Sequence, residues 1–479
     1  MPFDSLVREV RRQQTAVYVD SRQVTPGSVF VAVPGAQEDG NHFIPQAILA
    51  GARTLVCQQP PDHVDEDLRI VVHPDPRAAV WHLAQALYGT DSLTMQVVGI
   101  TGTNGKTTTA YVLEHVFSAL GRKVGVLGTV NYRWPGFVQA APLTTPDTLT
   151  LHRMLAQMQA AGVDIAFLEM SSHALDQQRA GGIVFDGAIF SNLTQDHLDF
   201  HADMEHYFHA KAKLFTELPR QNKSAVINAD DAFGRRLLSM CPGALGFGLG
   251  AEGVDGHRHL HGRVLASSTA GVHLHMRLGA QEWELRSPLV GAFNASNLLA
   301  VQGLCLELGL NPQDLQSLED FHGVSGRLER VPNPRGLDVF VDYAHSPDAL
   351  VNVLQALRGA GFERIITLFG CGGNRDRTKR PRMGEAVALW SDVAVLTSDN
   401  PRFEKPEDII ADVLPGLERA KEVVVEADRR TATQVALNML RPGDALLVAG
   451  KGHEEYQLIE GVKHSYSDQQ TIRELLKCV

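Results

Sequence analysis

Residues 99–109 read GITGTNGKTTT, a glycine-punctuated turn that ends in a lysine and three threonines. Gly102 and Gly105 let the backbone fold tightly, so that successive amides, those of Thr103 and Asn104 included, face phosphate oxygens at a helix start. Lys106 supplies a compact cation for the outer phosphates, and Thr107, followed by Thr108, a hydroxyl for magnesium. The spacing departs from the strict GxxxxGK[ST] pattern, because Ile100 stands where glycine would be required. A lysine and threonines directly after the glycines still favour an ATP phosphate loop over a plain strand-to-helix turn.

Further polar groups follow apolar runs. Glu169, in FLEMSSHALDQQR, ends a strand-like stretch and is placed as an oxygen ligand for magnesium, directly or through water. Ser171, Gln177 and Arg179 could reach an anionic substrate or serve as ordinary capping and surface groups. His197 and His201 lie four apart, as zinc ligands can, but no HExxH pattern accompanies them and a structural role is expected. Met204, Phe208, Lys211 and Phe215 share one helical face. Snorkelling accounts for a lysine on such a stripe, and nothing in the spacing demonstrates a modification.

Late in the chain, LTSDNPRFEKP releases Asp399, Asn400, Pro401 and Arg402 in succession: an acceptor, a mixed donor and acceptor, a rigid turn residue and a planar donor fork. A capped loop and a ligand contact both fit these four residues. Arg327 in GVSGRLER and Asp342 in VDYAHSPDAL are candidates for a nucleotide's phosphates and ribose. In GKGHEEYQ, Gly450 and a second glycine precede Glu454, an acid beside backbone that a ligand can approach closely.

These groups must be held by an α/β framework. A chain of 479 residues implies two to four domains. Residues 1–90 carry short strands around a helix. Residues 91–326 open on MQVVGI and the phosphate loop, and contain a Gly- and His-rich, β-rich excursion at 241–290. Residues 327–479 alternate strands (LDVFVDYA, RIITLFG, VAVLTSDN, EVVVEAD, ALLVAGKG) with helical patterns, which implies a mostly parallel sheet. Ligands bind beyond the carboxyl ends of such strands, where DYAHSPD, GCGGNRDRTKRP, SDNPR and GKGHEEYQ all fall. A formal charge of −11 argues against a nucleic-acid binder, no apolar run is long enough to span a bilayer, and the N-terminus is too charged for a secretory signal. Cys57, Cys241, Cys305, Cys371 and Cys478 are scattered and odd in number, which suggests reduced thiols in a cytoplasmic protein.

Taken together, TGTNGKTT, SSHAL, NLTQDHLDFH, GRLE, DYAHSPDAL and GKGHE, in this order, closely resemble the Mur ligase family. DSRQVTPGSVFVAVPGAQEDG looks like that family's UDP-binding domain, and DNPR like its diaminopimelate-adding branch. The resemblance implies three α/β domains: a UDP-sugar-binding domain, a central P-loop-type ATPase domain and a C-terminal Rossmann-like domain that binds the amino acid. It implies an ATP- and Mg2+-dependent ligase of peptidoglycan synthesis, and hence of cell shape and division. That enzyme would add meso-diaminopimelate to UDP-N-acetylmuramoyl-L-alanyl-D-glutamate through an acyl phosphate. Ser21, Ala36, Gln37 and Glu38 would touch the uridine diphosphate end, and Thr144, Thr145, Ser171, Gln177 and Arg179 the rest of that substrate. Asn297 would lie near adenine, while His197 and Lys211, the latter as a carbamate formed with carbon dioxide, would serve a second magnesium. Arg375, Asp399, Asn400, Pro401, Arg402, Gly450 and Glu454 would hold diaminopimelate. Asn374 and Gln195 stand where Asp and Arg are commoner in the family, and Leu143 stands before the Thr pair where Asn can occur. Small-molecule partners, no nucleic acid and a monomer are expected. The alternatives are a folylpolyglutamate synthetase-like ligase and a non-catalytic nucleotide-binding scaffold.

Overall fold

The computed structural model describes residues 2–35, 38–61, 67–198, 200–217, 219–250 and 253–477, with the side chains of 219–223 left aside. Two compact units make up the chain. One comprises residues 1–101, 117–189 and 209–225, the other residues 102–116, 190–208 and 226–479.

In the first unit, strands Val17–Tyr18, Val29–Val31, Thr54–Cys57 and Arg69–Val72 form a parallel sheet in chain order. Alternating side chains go to opposite faces. Val29, Val31 and Val56 pack under helices Phe3–Gln13 and Pro76–Tyr88, through Leu6, Val10, Ala79 and Leu83. Phe30, Leu55 and Cys57 face helix Ile44–Leu49 on the other side. The same unit contains a second set of strands, in which Gln96–Thr101 and Val124–Leu127 flank Ile165–Glu169 in parallel. All five residues of Ile165–Glu169 are buried, so the strand delivers Glu169 at its end with little freedom.

In the second unit, the β-rich excursion folds as an antiparallel meander of His259–Ser268, Gly271–Leu278 and Gln281–Ser287 beside helix Ala292–Glu307. The last third forms a six-stranded sheet. Its order is Glu329–Arg330, Asp338–Asp342, Ala445–Ala449, Ile365–Phe369, Val393–Leu396, Val423–Val425, and only the first pairing is antiparallel. Helices Pro347–Gly359, Lys379–Trp390 and Pro406–Val413 cover one face through Leu354, Val387 and Ile409. Helices Arg429–Met439 and Asp468–Lys477 cover the other through Leu437 and Ile472. The chain order reverses around Ala445–Ala449, so loops 370–374, 397–402 and 450–454 meet where such sheets place ligands.

One ion pair ties these loops to the last helix. Arg429 and Asp468 are both 0% exposed and meet at 2.8 Å. The Arg429 guanidinium also donates to the carbonyls of Ala449 (2.9 Å) and Ser398 (3.4 Å). Burial pushes the Arg429 pKa down, but Asp468 overrides this and holds it above its ordinary value. Asp468→Ala strands a buried cation and is expected to destabilise the protein by about 3–5 kcal/mol, read as a lowered urea midpoint. A midpoint within error of wild type would show that the pair is not needed for the fold.

Candidate active site

Helix Lys106–Ala119 begins on the loop 102–105. Gly102 and Gly105 take φ values of 147° and 90°, which side chains resist. A Cβ on Gly102 would fall 1.9 Å from Ser191 Oγ, and one on Gly105 2.4 Å from Asn297 Oδ1. Thr103 N donates to the Asn192 carbonyl and Asn104 N to Asn192 Oδ1, both at 2.9 Å, which corrects the expectation that these two amides face a phosphate: Asn192 takes them instead. Lys106 Nζ donates to the carbonyls of Gly102 and Thr103 at 2.9 Å. Arg327 Nη2 reaches Thr107 Oγ1 at 3.1 Å, and its guanidinium lies 4.6 Å from the centre of the Tyr343 ring. Two cations and a hydroxyl therefore converge on one helix N-terminus, which suits a polyphosphate.

Asp342 braces this corner. Its carboxylate accepts from the amides of Leu328 (2.6 Å) and Ala344 (2.7 Å). Burial raises its pKa, and Arg327 opposes that shift. Asp348 is a further anchor that the sequence reading did not single out. Its Oδ2 accepts from Asn104 Nδ2 at 3.1 Å and Thr194 Oγ1 at 3.0 Å. His197 sits nearby in the chain with φ 55°, its amide on Asp196 Oδ1 at 2.8 Å. Burial pushes Asp196 up, yet His197, His345 and Lys379 together hold it below its usual range.

In the first unit, Glu169 gathers the residues expected to meet the UDP-linked substrate. Its carboxylate accepts from Thr129 N (3.1 Å) and Thr129 Oγ1 (2.8 Å), and the Thr129 hydroxyl meets that of Thr144 at 3.2 Å. Thr145 Oγ1 donates to the Glu169 carbonyl (2.7 Å) and accepts from Ser171 N (3.0 Å). Arg179 donates to the Thr145 carbonyl (2.9 Å) and to Gln177 Oε1 (2.8 Å). Its pKa is lowered by burial, which leaves a guanidinium ready to be matched by an anion. Ser171 caps its helix, accepting from Ala174 N, which is the capping role the sequence left open for it. Ser21 is buried and bonded to Gln46 Oε1 (2.8 Å), the Glu38 carbonyl accepts from Gly35 N (3.0 Å), and Ala36 and Gln37 lie outside the described residues.

Lys211 corrects the snorkelling reading. It is 1% exposed, within helix Met204–Thr216 among buried Tyr207, Phe208, Leu214 and Phe215. A snorkelling lysine keeps its ammonium in water, and this one does not.

The DNPR loop forms a polar cluster with GKGHE. Asn400 Nδ2 donates to Glu454 Oε2 at 2.8 Å, while Asn400 Oδ1 accepts from Leu458 N (2.9 Å) and Lys451 Nζ (3.0 Å). Lys451 also faces Asp399 at 3.5 Å and Glu454 at 3.4 Å. A Cβ on Gly450, at φ 112°, would fall 2.4 Å from Asp399 Oδ2, so glycine is needed there. Arg402 sits at φ 55°, with Nη1 on the Gly373 carbonyl (2.8 Å). Its pKa is lowered by burial and then by the like charge of exposed Arg375. Arg380, 0% exposed, grips Glu404 with two 2.9 Å bonds and Asp412 with one of 2.8 Å, pinning the segment that follows Arg402.

Three family models match the chain: "Mur ligase family, catalytic domain" at residues 14–88, "Mur ligase middle domain" at 100–305 and "Mur ligase, glutamate ligase domain" at 326–452. The UDP-N-acetylmuramoyl-L-alanyl-D-glutamate--2,6-diaminopimelate ligase of Lawsonia intracellularis (strain PHE/MN1-00) is 54% identical over 478 residues, which cover 100% of this chain and 99% of that protein. The chain belongs to the Mur ligase family. A solved structure of another ligase of that name matches with a TM-score of 0.68 and 32% identity, over 97% of this chain and 94% of the other. A Mycobacterium tuberculosis folylpolyglutamate synthase complexed with ADP and AMPPCP shares the fold, with a TM-score of 0.61 and 20% identity over 79% of this chain and 92% of the other. The expected architecture, a three-domain α/β Mur ligase with a Rossmann-like C-terminal domain, is the one found.

The three residues expected to depart from the family pattern have local partners. Asn374 takes φ 51° and accepts from Phe403 N at 3.0 Å, Gln195 accepts from Arg382 at 2.9 Å, and the Leu143 carbonyl accepts from the Tyr132 hydroxyl. Asn297 lies against Gly105 of the phosphate loop. Lys451 and Arg380 were missed. Lys451 had a legible signal, a lysine between two glycines after an apolar strand, whereas Arg380 is one of several cations in RDRTKRPR.

Proposed function

We propose that this protein is an ATP-dependent ligase that adds meso-2,6-diaminopimelate to UDP-N-acetylmuramoyl-L-alanyl-D-glutamate in peptidoglycan precursor synthesis. The observation that carries this reading is 54% identity, along the whole chain, to a ligase named for that reaction. Residues 1–90 are assigned to the UDP end, 91–326 to ATP and the acyl chemistry, and 327–479 to the amino acid.

The tight loop at Gly102 and Gly105, with Lys106 and Arg327 beside it, fits a nucleoside triphosphate, and Thr107 and Glu169 each offer an oxygen donor of the kind magnesium takes. Lys106 and Arg327 offset the charge of the phosphates and the charge that builds during phosphoryl transfer. The phosphoryl group passes from ATP to the D-glutamate side-chain carboxylate, giving an acyl phosphate and ADP. An amine of diaminopimelate then attacks the acyl carbon, phosphate leaves and an amide remains. Magnesium, when bound, adds positive charge at the phosphates. Thr144, Thr145, Ser171, Gln177 and Arg179 hold the UDP-linked peptide, with Arg179 on an anionic group. Arg402 takes the distal carboxylate of diaminopimelate and Arg375 the other, while Glu454 faces the distal ammonium.

Lys211 is assigned as a carbamate, which turns a buried cation into an anionic oxygen ligand for magnesium. Lys211→Ala is expected to be nearly inactive and to regain part of its turnover with short carboxylic acids. A high-resolution structure in bicarbonate that shows a bare ammonium would overturn this.

The enzyme is assigned as a cytoplasmic monomer with small-molecule partners. Phosphate release from ATP tests the whole reading. It is expected only when the UDP-muramoyl dipeptide and diaminopimelate are both present. Release with a folate and glutamate would favour the folate-ligase alternative, and no release with any pair would favour a scaffold.

A further inference from the structure

Lys451 is fully buried, a position that a lysine leaves water for only when its ammonium has partners. Those partners are Asn400 Oδ1 at 3.0 Å, Glu454 Oε2 at 3.4 Å and Asp399 Oδ1 at 3.5 Å. An amide can turn either way, and its neighbours choose. Two donors, Lys451 Nζ and Leu458 N, converge on Asn400 Oδ1, so Asn400 Nδ2 is turned to Glu454, 2.8 Å away. Without Lys451, two carboxylates would share a desolvated corner with no ammonium among them.

We propose that Lys451 is a positioning residue for the amino-acid site: its ammonium fixes the turn of the Asn400 amide and aims the Glu454 carboxylate at the distal amine of the incoming diamino acid. This rests on the ligase reading above. Lys451 acts through Asn400 and Glu454, without itself being a substrate ligand. The groups whose charges bear on Glu454 are Lys451 and Asp399 first, then Tyr343, Tyr456 and Arg402. Burial raises the Glu454 pKa, and Lys451 is the largest influence pulling it back. Removal of Lys451 therefore lets Glu454 keep its proton to higher pH, and the anion needed for the distal amine is lost as pH falls through that higher value.

The test uses the full chain with Lys451→Met and Lys451→Gln, at saturating ATP and UDP-muramoyl dipeptide. Lys451→Met is expected to raise KM for diaminopimelate about 10–100-fold, with KM for the other two substrates nearly unchanged. The acidic limb of its kcat/KM profile for diaminopimelate moves up by about one pH unit. Lys451→Gln keeps a donor for Asn400 but no charge, and is expected to show the shifted limb with a smaller rise in KM. In Glu454→Gln, adding Lys451→Met should cause no further movement of that limb. A folded Lys451→Met with wild-type KM and pH profile overturns the proposal, as does an equal loss for all three substrates or failure of both Lys451 variants to fold. A wild-type protein that ligates nothing would overturn the ligase reading itself, a separate outcome.

Discussion

Lys106→Ala is expected to fold with an unchanged melting temperature and to lose ligation by about 10²–10³-fold or more. Lys106 is only partly buried, and its ammonium rests on two loop carbonyls at 2.9 Å, so the variant loses no packed apolar contact in the core. What it loses is positive charge at the helix start proposed to take the phosphates, and with it stabilisation of the transferring phosphoryl group. The loss should fall on kcat more than on the KM values of the UDP-linked peptide and diaminopimelate. Steady-state kinetics beside a thermal melt reads both. Near-normal turnover in a folded variant would remove the phosphate-loop assignment.

The local parts of this site were legible because their chemistry is written in short stretches. A phosphate loop would need glycines, a lysine and a threonine within a few residues, and the sequence places Gly102, Gly105, Lys106 and Thr107 together, with both glycines at positive φ. Strand ends in the last third were also readable, since buried runs such as Ala445–Ala449 stop where polar residues begin. Contacts between distant segments were not. The hairpin of Tyr456–Ile459 and Val462–Ser465 lies against DNPR, with Arg402 N on the Leu458 carbonyl at 2.9 Å and Gln457 on the Asp399 carbonyl at 3.0 Å. No periodicity in either stretch announces that pairing. Lys211 failed for a related reason: helical spacing put it on an apolar stripe, but only the packed fold shows that its end is also enclosed.

Arg402→Lys is expected to reduce the preference for meso-diaminopimelate over L-lysine by at least about tenfold. Diaminopimelate differs from lysine by a carboxylate on the distal amino-bearing carbon, so selectivity must arise at that end. Arg402 is half-buried and oriented by its bond to the Gly373 carbonyl, with Arg375 near enough to depress its pKa further. With lysine bound, this desolvated guanidinium lacks its anion, a penalty of roughly 1–3 kcal/mol. An ammonium at position 402 cannot reproduce the planar two-bond grip, and it sits on a shorter reach. The Arg380–Glu404 grip is untouched by this substitution, so the loop itself should stay in place.

The most direct measurement is therefore kcat/KM for meso-diaminopimelate and for L-lysine, each with UDP-N-acetylmuramoyl-L-alanyl-D-glutamate and ATP, in wild type and Arg402→Lys. The expected result is a wild-type preference for diaminopimelate of about 10²-fold or more, reduced at least about tenfold in the variant. Comparable kcat/KM for the two amino acids in wild type, or unchanged selectivity in Arg402→Lys, would contradict a diaminopimelate ligase that reads its substrate through DNPR.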